Sequence, residues 1–431
     1  MAPVNNSQRR LLYLKKLSDV WQIVSMGRLW RGLILCSVLL IAAKADANPV
    51  NRLQQLIGNR DAVRVTAPGG EAIFSKNDST PLIPASTLKL FTSLVALHYL
   101  GPDYRFSTEF YLGDDSRLII KGYGDPLFIS DQIDRAAAQI ARQQLTVSHI
   151  TVDPSYFSTP IVIPGVSDAS SQPYDSPNGA LCANFNTVCF DTSNGQYISG
   201  EPETPLLPCV IEQIRLTHLS RGRITLSHDG HAAALYTGRL FQHFLGRHGI
   251  PTTADILTTG VDKCSDRLVY TRTSEFNLSE VISRLLEFSN NFTANQIFIA
   301  AGAAAFHPPG DLNKAVKAAA VYARNELEIK NFSLVEGSGI SRENRISAEC
   351  MDRILEAFEP YHHLMRREAN EYYKTGTLNG IRTRAGYIKH RNGRLYRFVV
   401  FINSWGKSCD PVMDQIHRLV SAQTRPGKKA G

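Results

Sequence analysis

The chain has 431 residues, 43% of them hydrophobic and 20% charged, which excludes intrinsic disorder and collagen-like structure and is long enough for more than one domain. The net charge of +8 would point to an anionic partner if it lay on the folded part, but residues 1–47 hold seven Lys or Arg against two acids, leaving +3 on the rest. Three of the remaining basic residues (Arg425, Lys428, Lys429) sit in a short tail, 425–431, so no basic stripe of the nucleic-acid-binding kind remains.

Arg28 and Arg31 precede an apolar run, Leu33 to Ala43, and Ala45-Asp46-Ala47 supplies small residues at the spacing a signal peptidase needs. The run has 11 residues, short of the about 20 that span a bilayer. Residues 1–47 therefore read as a secretory signal cleaved after Ala47, with no membrane anchor left on the mature chain. A start at Met26 gives that signal an n-region of ordinary length, and Arg9-Arg10 stands too far from the apolar run to act as a twin-arginine signal. Cys36 lies in the signal, and six cysteines remain: Cys182, Cys189, Cys209, Cys264, Cys350 and Cys409. An even count in an oxidising compartment permits three disulfides, of which neighbour pairing (182 with 189, 209 with 264, 350 with 409) is the simplest; buried free thiols are the alternative.

The mature chain opens with a hairpin, Val63 to Val65 and Ala72 to Phe74 around Pro68-Gly69-Gly70. After Pro84, Leu88, Phe91, Val95 and Tyr99 recur at helical spacing, with Gly101 suited to a C-cap, which puts Ser86 at a helix N-terminus. From 104 to 273 the pattern turns to short alternating segments, broken by helical stretches at 132–143 and 231–246. Helices are expected at 280–288, 292–304 and 313–325, then two strands, 386–389 and 394–402, joined by Asn392-Gly393, and a final helix at 411–420. A catalytic domain split into 48–103 and 274–424 thus carries a β-rich insertion, 104–273.

Three motifs stand in order: Ser86-Thr87-Leu88-Lys89, Ser289-Asn290-Asn291 and Lys374-Thr375-Gly376. Singly, each is also what a helix N-cap, a solvated lysine, a helix-connecting loop or an ordinary strand would leave. Their contexts give them force: SxxK opens a helix, SNN lies between two helices, and KTG opens a strand followed by a hairpin. Ser404 to Lys407 repeats SxxK at the exit of a strand, and Ser176-Pro177-Asn178 repeats SxN in a Pro-rich loop; both are set aside. The chemistry needs these residue types. A serine hydroxyl attacks only as a base removes its proton, and Lys89, three residues on, shares a helix face with Ser86. Lys89 serves as base only if partly neutral, which burial and the neighbouring ammonium of Lys374 favour. Ser289 can relay a proton to a leaving amine, Asn291 can orient a substrate backbone, and Gly376 leaves room beside the strand. The Ser86 and Thr377 N–H groups suit an oxyanion hole, and Lys374, Thr375 and Thr377 suit a carboxylate.

On these motifs the chain resembles the D-alanyl-D-alanine carboxypeptidase/endopeptidase family, the low-molecular-mass class C penicillin-binding proteins. Gly122-Tyr123-Gly124-Asp125-Pro126-Leu127 is similar to its GxGDPxL segment, and Glu336 to Arg345 to its DGSGLSRxNR segment, with Glu in place of the usual Asp. Lys374 to Thr377 with Asn379-Gly380 and Ala385-Gly386-Tyr387 is similar to KTGTLxG…AGY, so the resemblance covers roughly 60–405. It implies an α+β, penicillin-recognising transpeptidase/β-lactamase-like fold, with an antiparallel sheet flanked by helices and a large insertion between SxxK and SxN. The gap here is 203 residues, at the short end for the family. The implied activity is periplasmic serine-type cleavage of the D-Ala-D-Ala bond of peptidoglycan stem peptides, and of the cross-links between them, without metal or nucleotide cofactor. β-Lactams are the implied covalent inhibitors. Arg342 and Asn379 match the rim of the family's cleft, where an arginine could bind a stem-peptide carboxylate; a loop-stabilising ion pair and a turn residue are the alternatives. A serine β-lactamase and an inactive wall-binding scaffold are the competing readings.

Overall fold

The computed structural model describes residues 48–167 and 170–423, so the expected signal 1–47 and basic tail 425–431 lie outside the described residues. Helix α1 (Pro49–Leu56) leads into strands β1 (Asp61–Thr66) and β2 (Ala72–Lys76), then a 3-10 turn (Ala85–Leu88) that runs into helix α2 (Lys89–Leu100). There follow β3 (Ser107–Leu112), β4 (Arg117–Gly122), α3 (Ser130–Arg142), β5 (His149–Asp153), β6 (Thr187–Ser193), β7 (Gln196–Ser199), α4 (Pro208–Thr217), β8 (Gly222–Thr225), α5 (Gly230–Arg247), β9 (Leu257–Thr258) and β10 (Arg267–Thr273). Four helices come next, α6 (Leu278–Phe288), α7 (Asn291–Phe306), α8 (Leu312–Asn325) and α9 (Ala348–Phe358). The chain closes with β11 (Arg366–Glu368), β12 (Glu371–Leu378), β13 (Ile381–Lys389), β14 (Leu395–Ile402) and α10 (Asp410–Ser421).

One antiparallel sheet, in the order β11-β12-β13-β14-β1-β2, joins strands from both ends of the chain; where the two ends meet, Val63 of β1 faces Val400 of β14. Side chains alternate across a strand, so Phe398, Val400 and Ile402 pack against Leu53, Val412 and Ile416 of α1 and α10, while Val399 and Phe401 join the helices on the opposite face. Cover on both faces explains why β14 is nearly continuously apolar. On the second face, α2 is buried from Lys89 to Leu97 and α7 from Phe292 to Ala303. Helices apolar on all sides run through an interior, and the polar groups they carry must find partners there.

Residues 107–273 form a mixed sheet, β10-β3-β4-β5-β9, and a smaller one, β7-β6-β8. The β4–β5 pair is parallel, with α3 as the crossover that parallel pairing requires. Phe110, Ile120, Val152, Phe190 and Phe241 centre a core of their own. The segment is less purely β than its sequence texture: α4 buries only Val210 and Ile214, too thin a stripe to read as helix. KTG lies within β12 rather than opening it, because pairing with β13 begins at Glu371. Ser86 lies in the 3-10 turn, with the α-helix proper starting at Lys89. The six cysteines are free thiols, so none of the expected neighbour pairs forms. Cys350 and Cys409 lie on opposite faces of the six-stranded sheet; Cys182 donates to Gly179 O and accepts from Asn186; Cys264 is exposed, whereas Cys209 packs against the inner core of the 107–273 segment.

Candidate active site

The 3-10 turn holds Ser86 half-buried between the buried Ala85 and Thr87. Thr87 and Thr383 both donate to Pro84 O, at 2.7 Å each, and Asn403 holds Ile83 through its N–H and carbonyl. Gly376 of β12 lies against this turn: a Cβ there would stand 2.7 Å from Ser86 N and collide with Thr383 Oγ1, so only glycine lets the strand pass this close.

Lys89 begins α2 with its side chain wholly buried. Its Nζ lies 2.9 Å from Ser86 Oγ, 2.8 Å from Asn291 Oδ1 and 2.7 Å from Ser338 O. Burial, and then the Lys374 ammonium, push its proton affinity well below that of an ordinary lysine; the Glu336 carboxylate opposes them. Lys374 is 3% exposed and donates to Thr375 O at 2.9 Å; burial and Arg366 push it down to about 8. It has no carboxylate partner among the described residues.

Asn291 reaches Lys89 because a sharp corner separates α6 from α7. Ser289 adopts the left-handed conformation (φ 57°) that ends α6, and Asn290 caps α7 by accepting from Thr293 N. The Ser289 hydroxyl has no hydrogen-bond partner among the described residues, so it is not part of the hydrogen-bonded cluster around Lys89. Asn291 Nδ2 donates to Tyr174 O at 3.2 Å, which brings a backbone group of the 107–273 segment to the cleft.

Ser338 O is delivered by a loop built around the fully buried Glu336. Glu336 accepts from Ser338 N and Oγ (2.6 Å each), Gly339 N (2.8 Å), Ser341 N (3.3 Å), Asn344 Nδ2 (2.6 Å) and Asn295 Nδ2 (3.2 Å). Gly339, at φ 82°, lies against Ala85 O where a Cβ would collide.

Ser86, Lys89, Asn291, Lys374 and Gly376 are therefore brought together. Thr375 and Thr377 are exposed on the same strand. Arg342 is exposed and donates to the backbone carbonyl of Asn379, so the two form one rim contact through main chain. Two repeats of the motifs have other partners: Asn178 is buried and donates to Phe292 O and Gln296 Oε1, which ties its loop to the start of α7, and Lys407 pairs with Asp61 at 3.1 Å. Sequence reasoning missed Tyr174, Thr383 and Asn403, whose contacts cross 117, 299 and 320 positions and leave no local pattern. It noticed Glu336 only as an exchange for Asp; a carboxylate followed by Gly-Ser-Gly was the available sign of a carboxylate-centred turn.

The sequence profile of the D-Ala-D-Ala carboxypeptidase 3 (S13) family matches residues 50–229 and 223–370. The chain is 22% identical over 427 residues to a D-alanyl-D-alanine carboxypeptidase of Actinomadura sp. (strain R39), covering 82% of this chain and 79% of that one. The crystal structure of penicillin-binding protein 4 (dacB) from Haemophilus influenzae superposes with a TM-score of 0.69 at 20% identity, over 86% of this chain and 98% of that chain. The same Haemophilus protein complexed with a β-lactam superposes at 0.67, 18% identical, over the same shares. These structures share the α+β penicillin-binding fold described above, and the family match runs from α1 through β11, taking in the whole 107–273 segment and ending just before β12. The chain belongs to the D-Ala-D-Ala carboxypeptidase 3 (S13) family, and with it is a serine-type D-Ala-D-Ala carboxypeptidase.

Proposed function

We propose that the chain hydrolyses the D-alanyl-D-alanine bond of peptidoglycan stem peptides through an acyl-enzyme on Ser86, with Lys89 as the base. The observation that carries this reading is the set of acceptors around Lys89 Nζ. A neutral amine has two N–H groups and one lone pair. Asn291 Oδ1 and Ser338 O take the two hydrogens, which leaves the lone pair facing Ser86 Oγ.

Ser86 Oγ attacks the carbonyl carbon of the penultimate D-alanine while its proton passes to Lys89 Nζ. The Ser86 and Thr377 N–H groups receive the oxyanion. On collapse the C–N bond breaks, the departing amine takes the proton from Lys89 through Ser289, and D-alanine leaves. Water then attacks the ester with Lys89 again as base, and Ser86 recovers its proton. Lys374 is a buried ammonium with no carboxylate of its own; that supports a role in binding the substrate's terminal carboxylate, with Thr375 and Thr377 as hydroxyl partners. Gly376 lets β12 lie against the Ser86 turn, which sets the strand beside the nucleophile, and Asn291 is placed to border the acyl chain. Arg342 and Asn379 belong to the outer rim, where the guanidinium can meet a second carboxylate of the stem peptide.

Cleavage of D-Ala cross-links belongs to the same proposal, because the same D-alanyl carbonyl is attacked and only the leaving amine differs. So does a division of the mature chain into a split catalytic domain, 48–103 and 274–424, and an accessory insertion, 104–273; the separate sheets and cores support it. The export motif before residue 48 supports a periplasmic location, and no helix among the described residues is long and apolar enough to cross a membrane. β-Lactams are proposed as covalent inhibitors, supported by the β-lactam complex of the Haemophilus relative.

Release of D-alanine from a stem pentapeptide tests the reading. The expected result is stoichiometric D-alanine with a long-lived adduct when benzylpenicillin is added. Multiple rapid turnovers of benzylpenicillin with no D-alanine release would favour the β-lactamase reading instead.

A further inference from the structure

The buried carboxylate of Glu336 belongs to none of the three motifs, yet it does two things at the reacting centre. Its oxygens hold the N–H groups of Ser338, Gly339 and Ser341, which fixes the Ser338 carbonyl on Lys89 Nζ. It is also the negative group whose field acts on Lys89. The charged groups around Lys89 are Lys374, from β12, and Glu336, from the loop; α7 contributes only the neutral amides Asn291 and Asn295, and Arg366 of β11 acts on Lys374. A buried carboxylate is retained against its desolvation cost only when donors surround it, and six do so here.

We propose that Glu336 is a positioning residue that sets the pH at which Lys89 becomes a working base, by opposing the field of Lys374 while holding Ser338 O in place. The inference rests on Lys89 being the base that activates Ser86. The Lys374 ammonium with no negative charge to oppose it would leave Lys89 neutral over a wider pH range, but unable to hold the proton it takes from Ser86. With Glu336 present the base keeps enough affinity to accept that proton and return it to the amine. The chain is thereby predicted to trade acid tolerance for proton-transfer efficiency.

The test is the pH profile of the second-order rate constant for benzylpenicillin acylation in the wild-type chain, Glu336→Gln and Glu336→Asp. Glu336→Gln removes the charge that raises the Lys89 proton affinity, so its acid limb should move to lower pH by about one unit, with a lower plateau. Glu336→Asp retains the charge and should keep the wild-type limb. A folded Glu336→Gln enzyme whose rate falls by one factor at every pH, with the limb unmoved, overturns the proposal. If Glu336→Gln does not fold, Glu336→Asp decides alone: a limb within a few tenths of a unit of wild type supports the proposal, and one displaced by a full unit overturns it. Failure of the underlying reading is distinguishable, since then the wild-type chain itself would form no adduct on Ser86.

Discussion

The chain contains two SxxK sequences, and the structure gives them opposite surroundings. Ser86 and Lys89 lie on consecutive turns entering a buried helix, and the lysine meets two neutral carbonyl oxygens, a hydroxyl and a second lysine. Ser404 and Lys407 lie beyond the end of β14, and both turn to one carboxylate: Asp61 Oδ1 accepts from Ser404 N at 3.0 Å, and Oδ2 from Lys407 Nζ at 3.1 Å. Burial resists ionisation of Asp61, but the Gly58 N–H, Ser404 and Lys407 outweigh it and hold the carboxyl below its usual range. Equal spacing thus yields a desolvated amine in one place and an ion pair in the other. Burial and Lys374 lower the proton affinity of the first lysine, which faces its own serine. On the proposed reading, what makes the motif a reacting pair is the absence of a carboxylate at contact distance together with the presence of a second cation.

The sharpest way to break this comparison is to remove each serine. Ser86→Ala should abolish acylation by benzylpenicillin and D-alanine release altogether, whereas Ser404→Ala should keep both within about twofold, since Ser404 is held through its backbone N–H. Arginine in place of each lysine comes next. Lys89→Arg should cost about a thousandfold or more in acylation, because guanidinium stays protonated at every working pH; Lys407→Arg should change the rate less than twofold, since charge is what that site needs. Stopped-flow acylation assays read both.

Lys374 supplies a third, smaller contrast. Its proton affinity is pushed down to about 8, so it is charged below that pH and neutral above it. A carboxylate bound by that charge should be held below pH 8 and released above it. KM for a stem pentapeptide should therefore rise as pH passes through about 8, and Lys374→Ala should show a KM raised by roughly tenfold to a hundredfold with no such rise. A flat KM from pH 6 to 10 in the wild-type chain would remove Lys374 from carboxylate recognition. The smallest effect belongs to the structural pair. Lys407→Ala leaves Asp61 with its backbone donors but without its cation, and should cost about 1 kcal/mol in a denaturant titration with no change in acylation.

Much of this site was legible in the sequence because its parts are local. The order SxxK, SNN, KTG, the apolar periodicity after Ser86 and the glycine in KTG each follow from a constraint acting within a few residues. The sheet was only partly legible: β14 was read from its apolar run, but β13 was read from Gly386 rather than Ile381, since Arg382 and Arg384 interrupt the apolar pattern. Helix α9 was missed although Met351, Ile354, Leu355 and Phe358 form a stripe, because Cys350, Asp352 and Glu356 dilute it. The acceptors of Lys89 divide the same way. Asn291 was named from its motif, whereas Ser338 offers a backbone carbonyl, which has no side-chain signature, and Glu336 acts through the shape of a loop. The disulfides were misjudged because an even cysteine count says nothing of distance, and a whole sheet separates Cys350 from Cys409.

The central claim is that one serine of the two SxxK sequences carries the acyl group. Peptide mass mapping after incubation with benzylpenicillin tests it most directly, since the adduct adds the full mass of the drug to one peptide. The account predicts a single penicilloyl adduct on Ser86, absent in Ser86→Ala and unchanged in Ser404→Ala. An adduct on Ser404, or undiminished labelling of the Ser86→Ala chain, would contradict it.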